Sequence, residues 1–589
     1  MNRRTFLKSL GLSVSLPLAA QEGPPVPDRV ETMAAGAKPA MALNHLGFVP
    51  KSRKTVIFRL TAPGIPLQFE LEDIAGPHPP FIIKGPLHRI SSDFRKALTG
   101  DFSDVERVGM YQVTIGGERS VPFFIRPDLW RRTLPKAFSF YPQQRCGIAV
   151  PNVHPVCHLD DARRRDTGQH VDVTGGWHDA GDLRKWMETA LHSGVALLVL
   201  ARTLGAEWNL DGAGLNPLLD EIRWGNRYWM KMQDSDGKIW NDAAGGVNGD
   251  NSDNHWTDNQ TGTEDDRYIN PEKPNLIQAE FVTAQALIAQ VFNTSDPSYG
   301  QVSLAAALRC WEANTVGKAV EELSWWLLAA IELSRATHQA RWTQTAIDLG
   351  DRLLAHQNRE YIADQKQVRG FWKISEQDST PYVNAIFSAM PCIALLELAQ
   401  TFPNHPQATK WREAVQLHLE EYVLPLSGRS VYKIVPYGVF QGSPTPEFYR
   451  PLAGKLTYRY FMPVRKQFWW LGMTSHLENY ACLLAMAART FQKREFLELA
   501  YRQLEWVMGA NPFAACLMTG EGMRNPFPHS RFVGLIPGGI MNGIGGNAQD
   551  EPVLDVDYGF DWRTCEYWAP HNAWYLWAVS EIEKGATGI

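Results

Sequence analysis

Apolar residues along this chain change their spacing once, near Pro127, and that change decides what the chain can fold into. From Met41 to about Arg126 they come in short alternating runs broken by Gly and Pro, as in Lys54–Leu60, Phe69–Glu72 and Gly109–Ile115. Alternation is the mark of half-buried strands, and several such strands within about 90 residues predict a small sandwich of immunoglobulin-like size over 41–127. After Pro127 the period is helical to the end. Amphipathic runs lie at Leu183–Leu204, Leu218–Met232, Leu276–Phe292, Val320–Ala336, Trp342–His356, Ala385–Thr401, Trp411–Tyr422, Ser475–Arg489, Arg494–Met508 and Cys565–Ile582. With long loops at 235–272, 360–383, 425–472 and 509–562 between them, these predict a toroid of helical hairpins. No tight repeat is present, which disfavours a regular solenoid.

The first residues carry an address. Arg3-Arg4-Thr5-Phe6-Leu7-Lys8 followed by the short apolar stretch Leu10–Ala20 has the form of a twin-arginine export signal over 1–20, with 21–40 as a Pro/Gly/Ala-rich linker. The expected location is periplasmic or secreted. No later run is long and apolar enough for a membrane span. A formal net charge of -5 gives no basic surface for nucleic acid. The 21 Trp residues offer platforms for sugar rings, although most large aromatics simply fill cores. A monomer is expected.

The densest chemistry lies in Asp172–Trp186, which reads D-V-T-G-G-W-H-D-A-G-D-L-R-K-W. Asp179 and Asp182 are separated only by Ala180 and Gly181, so both carboxylates can face one water; an aspartate here can also be a helix cap. A second constellation is Cys146, Cys157, His158 and His178. Two thiolates and two imidazoles make a closed, four-ligand zinc site of the structural kind, with a Cys146–Cys157 disulfide as the alternative. The loop Asp250–Asp266 is rich in oxygen ligands but has no spacing assignable to calcium.

Gly175–Asp182 resembles the aspartate motif of glycoside hydrolase family 9, in the subgroup with an immunoglobulin-like domain ahead of an (α/α)6 barrel. Leu43–Phe48, Gln144–Gly147, Ser475–Asn479, Gly509–Phe513 and Pro528–Arg531 follow that family's order. The resemblance implies a mainly α protein with a barrel over 135–585, hydrolysing β-1,4-linked glucan or gluco-oligosaccharides with inversion. It places the general base on Asp182, a water-holding role on Asp179 and the general acid on Glu566, six residues before Asn572-Ala573. Cys565 stands where the family has Asn. His529 and Arg531 fall beside the substrate, and Tyr567 and Trp568 are candidate sugar platforms. The family also has the zinc site, and calcium is common in it. Some members instead remove single glucose or glucosamine units from chain ends, so endo against exo action stays open. Two readings from other classes are weaker. A zinc-dependent hydrolase needs an open, three-ligand metal, and a non-catalytic carbohydrate-binding protein has no need of all three carboxylates.

Overall fold

The computed structural model describes residues 39–585 apart from 60–66, 77–80, 95, 206–215, 247, 249–251, 253, 362–367, 442–449, 454–455, 464–470, 533 and 557–560. The export signal and nearly all of the linker read in the sequence lie outside the described residues.

The amino-terminal part is a sandwich. Strands β1 (Met41–Ala42), β3 (Thr55–Arg59), β6 (Ala97–Asp101) and the second half of β5 (Ile82–Ile90) form one face. The first half of β5, β4 (Gln68–Asp73), β7 (Gly109–Ile115), β9 (Phe123–Ile125) and β2 (Gly47–Phe48) form the other, and β8 (Glu118–Arg119) pairs with β7. All pairings are antiparallel except β2 with β9. The alternation read in the sequence is the alternation observed: in β4, Phe69, Leu71 and Asp73 point inward while their neighbours face out. Phe48, Phe69, Phe102, Tyr111 and Phe123 fill the interior. The sandwich sits on the helical part, with Phe94 packed against Tyr432, Tyr460, Phe461 and Trp506. The backbone N–H of His45 donates to Met508 O at 2.9 Å. That contact explains Gly509, where a Cβ would lie 2.5 Å from the His45 ring.

Among the described residues, twelve helices of ten residues or more follow: α1 (Leu134–Gln143), α2 (Met187–Leu204), α3 (Asn216–Lys231), α4 (Asn275–Val291), α5 (Pro297–Glu312), α6 (Val320–Thr337), α7 (Ala340–Leu354), α8 (Met390–Thr401), α9 (Ala408–His418), α10 (Thr474–Phe491), α11 (Arg494–Val507) and α12 (Ala569–Gly585). Each even-numbered helix packs on the next even-numbered one, and α12 returns to α2, closing an inner ring of six. Helices α3, α5, α7, α9 and α11 each back the inner helix before them, and α1 backs α12. The sequence accounts for the division. Inner helices such as α2, α8 and α12 are buried on nearly every face, whereas outer helices such as α7 and α11 keep a solvent side.

Three helix starts differ from those expected. Cys565–Trp568, Leu183–Trp186 and Ala385–Ala389 are not part of the long inner helices, which begin at Ala569, Met187 and Met390. In α8 and α12, Pro391 and Pro570 occupy the first turn, where a missing N–H costs nothing, and so mark the start. Before α2, Lys185–Trp186 instead joins a four-stranded sheet with Asp242–Ala243, Tyr268–Asn270 and Arg163–Arg164. The loops 235–272 and 425–472 are accordingly less irregular than their sequence suggests. The first contributes two strands of that sheet, and the second forms a three-stranded sheet of its own.

One buried ionic knot ties this small sheet to the segment before it. Asp161 accepts from Arg267 Nε at 2.8 Å and Nη2 at 2.6 Å, and from Lys185 Nζ at 2.6 Å, with all three side chains fully buried. Burial pushes its carboxyl up, but the two cations outweigh that and hold it below the usual range. Breaking a buried ion pair from one side strands the other charge, at a cost of roughly 3–5 kcal/mol. Asp161→Asn is therefore expected to lower unfolding free energy in denaturant titrations by about that amount. A loss below about 1 kcal/mol would mean the knot is not holding the sheet.

Candidate active site

Four separated pieces of chain meet where α12 closes onto α2. The Asp179–Asp182 turn is gripped from below by Gln144, whose carbonyl accepts from His178 N–H at 2.9 Å and whose Nε2 donates to Ala180 O at 2.7 Å. Glu566–Trp568 runs beside it as an extended segment. Ala180 bridges Trp568, and Ala569 N–H donates to Asp179 O at 2.7 Å. The 529–531 segment is wedged between the two: His529 bridges Glu566, and Arg531 N–H donates to Gly181 O at 2.7 Å. Only glycine fits at 181, since a Cβ there would lie 2.2 Å from His529 O. Asn254 is the fourth piece.

The three carboxylates differ in their surroundings. Asp179 is buried. Its Oδ2 accepts from Trp568 Nε1 at 2.9 Å, and its Oδ1 has no partner among the described residues. Burial, and then the charge of Asp182, raises its carboxyl well above the ordinary range. Asp182 is half-buried. Its Oδ1 accepts from Arg184 N–H at 3.1 Å and its Oδ2 from Asn254 Nδ2 at 2.9 Å. Glu566 has an extended backbone at φ -73°, ψ 129°, fixed by Asn542 N–H on its carbonyl at 2.8 Å. Burial foremost, then the charges of Asp182 and Asp179, pushes its carboxyl well up.

The neighbours expected to touch substrate are placed unequally. His529 is partly exposed and meets Asp561 through Nδ1 at 3.2 Å; Arg531 is exposed, with its guanidinium donating to Asn254 O. Trp568 is partly exposed, and its indole N–H is spent on Asp179. Tyr567 departs from the sequence expectation. It is fully buried, edge-on to Phe140 at 5.8 Å with its hydroxyl on Ser530, so no ring face is open to a sugar. Alternation along an extended segment causes this, because Glu566 and Trp568 point one way and Tyr567 the other. Asn254 and Asp561 were not singled out in the sequence, and Gln144 stood there only as the first residue of a family block. Asn254 lies inside a loop notable there only for its wealth of oxygen ligands, and Asp561 belongs to no dense motif.

Cys146, Cys157, His158 and His178 come together, all buried, with their ligand atoms within 4.8 Å of one another. The two sulfurs are not bonded to each other. Zn–S near 2.3 Å and Zn–N near 2.0–2.1 Å at a tetrahedral angle put sulfur and nitrogen about 3.6 Å apart. Cys146 Sγ lies 3.6 Å from His158 Nδ1, and Cys157 Sγ lies 3.5 Å from His178 Nε2. Each histidine gives its other ring nitrogen to a backbone carbonyl, His158 Nε2 to His255 O at 2.9 Å and His178 Nδ1 to Leu183 O at 3.0 Å. Such contacts orient metal-binding imidazoles. The donor set and its spacing fit zinc. Part of the acidic loop also gathers, since Asp265 and Asp266 meet Asp160 within 4.8 Å. Asp160 Oδ2 is buried without a partner among the described residues.

With this geometry in view, comparison with known proteins is informative. The sequence model described as glycosyl hydrolase family 9 matches residues 130–537, and that of the cellulase N-terminal ig-like domain matches 37–120. The chain is 22% identical to the xyloglucan-specific endo-beta-1,4-glucanase BoGH9A of Bacteroides ovatus, over 87% of this chain and 86% of that one. It is 29% identical to a cellodextrinase of Butyrivibrio fibrisolvens over 24% of this chain, and 26% identical to endoglucanase C of Cellulomonas fimi over 47%. Those two alignments each span 28% of the relative's length. Among solved structures, a metagenome-derived glycoside hydrolase family 9 endoglucanase shares the fold at TM-score 0.67 and 20% identity, covering 92% of this chain and 98% of that one. The family match takes in well over half of the chain and holds Asp179 and Asp182 within it. The chain belongs to glycosyl hydrolase family 9, with a cellulase-type immunoglobulin-like domain ahead of a mainly helical catalytic domain.

Proposed function

We propose that the protein is an inverting, endoglucanase-like hydrolase of β-1,4-linked glucan or gluco-oligosaccharides, with Asp182 as general base and Glu566 as general acid. The observation that carries this reading is the inequality of the carboxylates: Glu566 is pushed well up while Asp182 accepts two N–H donors across the closure of the ring. In the reaction Asp182 takes a proton from water as that water attacks the anomeric carbon. Glu566 gives its own proton to the departing glycosidic oxygen. Asp179, steadied by Trp568, holds the same water through Oδ1, the oxygen without a partner among the described residues. Inversion needs acid and base about 6.5–9.5 Å apart, with room for water between them. His529 and Arg531 serve as hydroxyl-binding groups, and Trp568 as the wall of the cleavage site.

The relatives named endoglucanases support the endo reading. The second reading is exo action, removal of single glucose or glucosamine units from chain ends; the likeness to a protein named cellodextrinase favours short gluco-oligosaccharides as substrate. Cys146, Cys157, His158 and His178 would hold zinc through four protein ligands, a closed set that would brace the turn bearing Asp179 and leave water activation to the carboxylates. One solved relative is described as a Zn-binding triple mutant of the endoglucanase J30. Calcium on Asp160, Asp265 and Asp266 is the corresponding reading of the second cluster. Export as a folded, metal-loaded protein by the twin-arginine route follows from residues 1–20, with domains at 41–127 and 135–585.

Product analysis on β-1,4 gluco-oligosaccharides and chitosan oligosaccharides tests the activity. Internal cleavage of the glucan ladder is expected; monomer alone from one end would replace the endo reading, and no release at all would end the catalytic one. Asp182→Ala and Glu566→Ala are each expected to lower kcat by on the order of 10²- to 10⁴-fold with unchanged circular dichroism. Because protonated Glu566 is the active form and its carboxyl is raised, activity should be lost only as pH climbs well above the ordinary Glu value of about 4.3. An alkaline limb near pH 4–5 would take that role from Glu566. For the metal, one zinc per chain is expected by elemental analysis. Stripping it should lower the thermal midpoint, with activity fading as the site region loosens; a zinc-free protein of unchanged midpoint would sink the bracing role.

A further inference from the structure

We infer that Asn254 is the positioning residue for Asp182, and that it links this carboxylate to the Cys146, Cys157, His158 and His178 cluster. The inference rests on the reading of Asp182 as general base. Asn254 is only 3% exposed, and every polar group described for it beyond the backbone N–H is used. Its Oδ1 accepts from Leu183 N–H at 3.0 Å, which fixes the amide so that Nδ2 donates to Asp182 Oδ2 at 2.9 Å. Its carbonyl accepts from the Arg531 guanidinium. A single side chain thus holds the base and the residue after it, from a loop more than seventy positions away in sequence.

That loop rests on the metal cluster. The carbonyl of His255 accepts from His158 Nε2 at 2.9 Å, and Trp256 stacks on the His158 ring at 5.6 Å with the planes 14° apart. From the other side His178 Nδ1 donates to Leu183 O at 3.0 Å. The contacts close on themselves: His158 to His255, along the chain to Asn254, across to Leu183, and back to His178. Asp182 lies on this circuit as the residue before Leu183 and the recipient of the Asn254 amide N–H. A carboxylate on a glycine-bearing turn has little else to fix its plane. Among the described residues, only the Arg184 N–H on Oδ1 would remain if the amide were lost.

Positioning and mere loop support can be separated by isostere. Asn254→Asp keeps the acceptor for Leu183 N–H and removes the donor to Asp182, while Asn254→Ala removes both. Full-length, zinc-loaded protein would be assayed on a soluble β-1,4 gluco-oligosaccharide alongside Asp182→Ala, with thermal midpoint and zinc content measured on every variant. Both Asn254 variants are expected to lose about 100-fold in kcat, the scale on which a 1 Å displacement of a reacting group acts, with KM within about threefold. Asn254→Asp should retain wild-type zinc content and thermal midpoint. The inference is overturned if Asn254→Asp keeps kcat within about threefold of wild type while Asp182→Ala is inactive, or if its kcat falls only in step with zinc loss. Activity surviving in Asp182→Ala would instead remove the base reading on which the inference stands.

Discussion

The packing of the last inner helix against the first is the constraint on which the rest depends. Helix α12 closes the ring on α2, and the extended residues just before each helix pair through Ala180 and Trp568. Everything chemical follows from that seam. Asp179 and Asp182 enter from one side and Glu566 from the other, in an environment dry enough to raise Asp179 and Glu566. The 529–531 segment fills the remaining gap through a contact that tolerates no side chain at Gly181.

The buried polar groups around the seam serve alignment. Asn572 donates to Ala137 O and Gly538 O and accepts from Ile540 N–H, pinning the loop that runs under Glu566. Asn511 likewise gathers four backbone groups between Trp506 and Ala515 in the turn after α11. His571 meets Ser475 Oγ at 2.5 Å and Asn542 Oδ1 at 2.8 Å. The two asparagines replace main-chain pairing where the chain leaves regular structure, because a buried backbone group without a partner costs about 1–3 kcal/mol, whereas His571 ties side chain to side chain. The family blocks around positions 475, 511 and 572 are therefore framework. They were legible in the sequence as markers, but not as to purpose.

Periodicity revealed the two-part plan and most of the helices, because inner and outer faces bury different amounts of apolar surface. It failed where an apolar run continued past a helix start, as at Leu183–Trp186 and Cys565–Trp568, since an extended segment beneath a buried helix is as apolar as the helix. Asp179, Asp182 and the cluster of two cysteines and two histidines stood out because their residue types are chemically conspicuous, whereas Glu566 was singled out only through the family resemblance. Asn254 could not, being one amide in a polar loop whose partner is set only by the folded ring. Tyr567 was misplaced for a related reason: facing depends on whether the backbone there is helical or extended, and its neighbours Pro570 and Glu566 resolve that only once the start of α12 is known.

The ring also orders events in time. The Asp179–Asp182 turn lies near the start of the helical part and Glu566 some twenty residues before the end of α12, so a growing chain carries the aspartates long before the glutamate exists. A polypeptide that stops ahead of residue 566 has the aspartates without the glutamate, and none of α12 with which to close the ring. Closure arrives with α12, the last of the described helices. A chain cut short anywhere ahead of Glu566 is left with an open seam and an unanswered pair of aspartates, so the tail belongs to the candidate site as fully as the Asp179–Asp182 turn does.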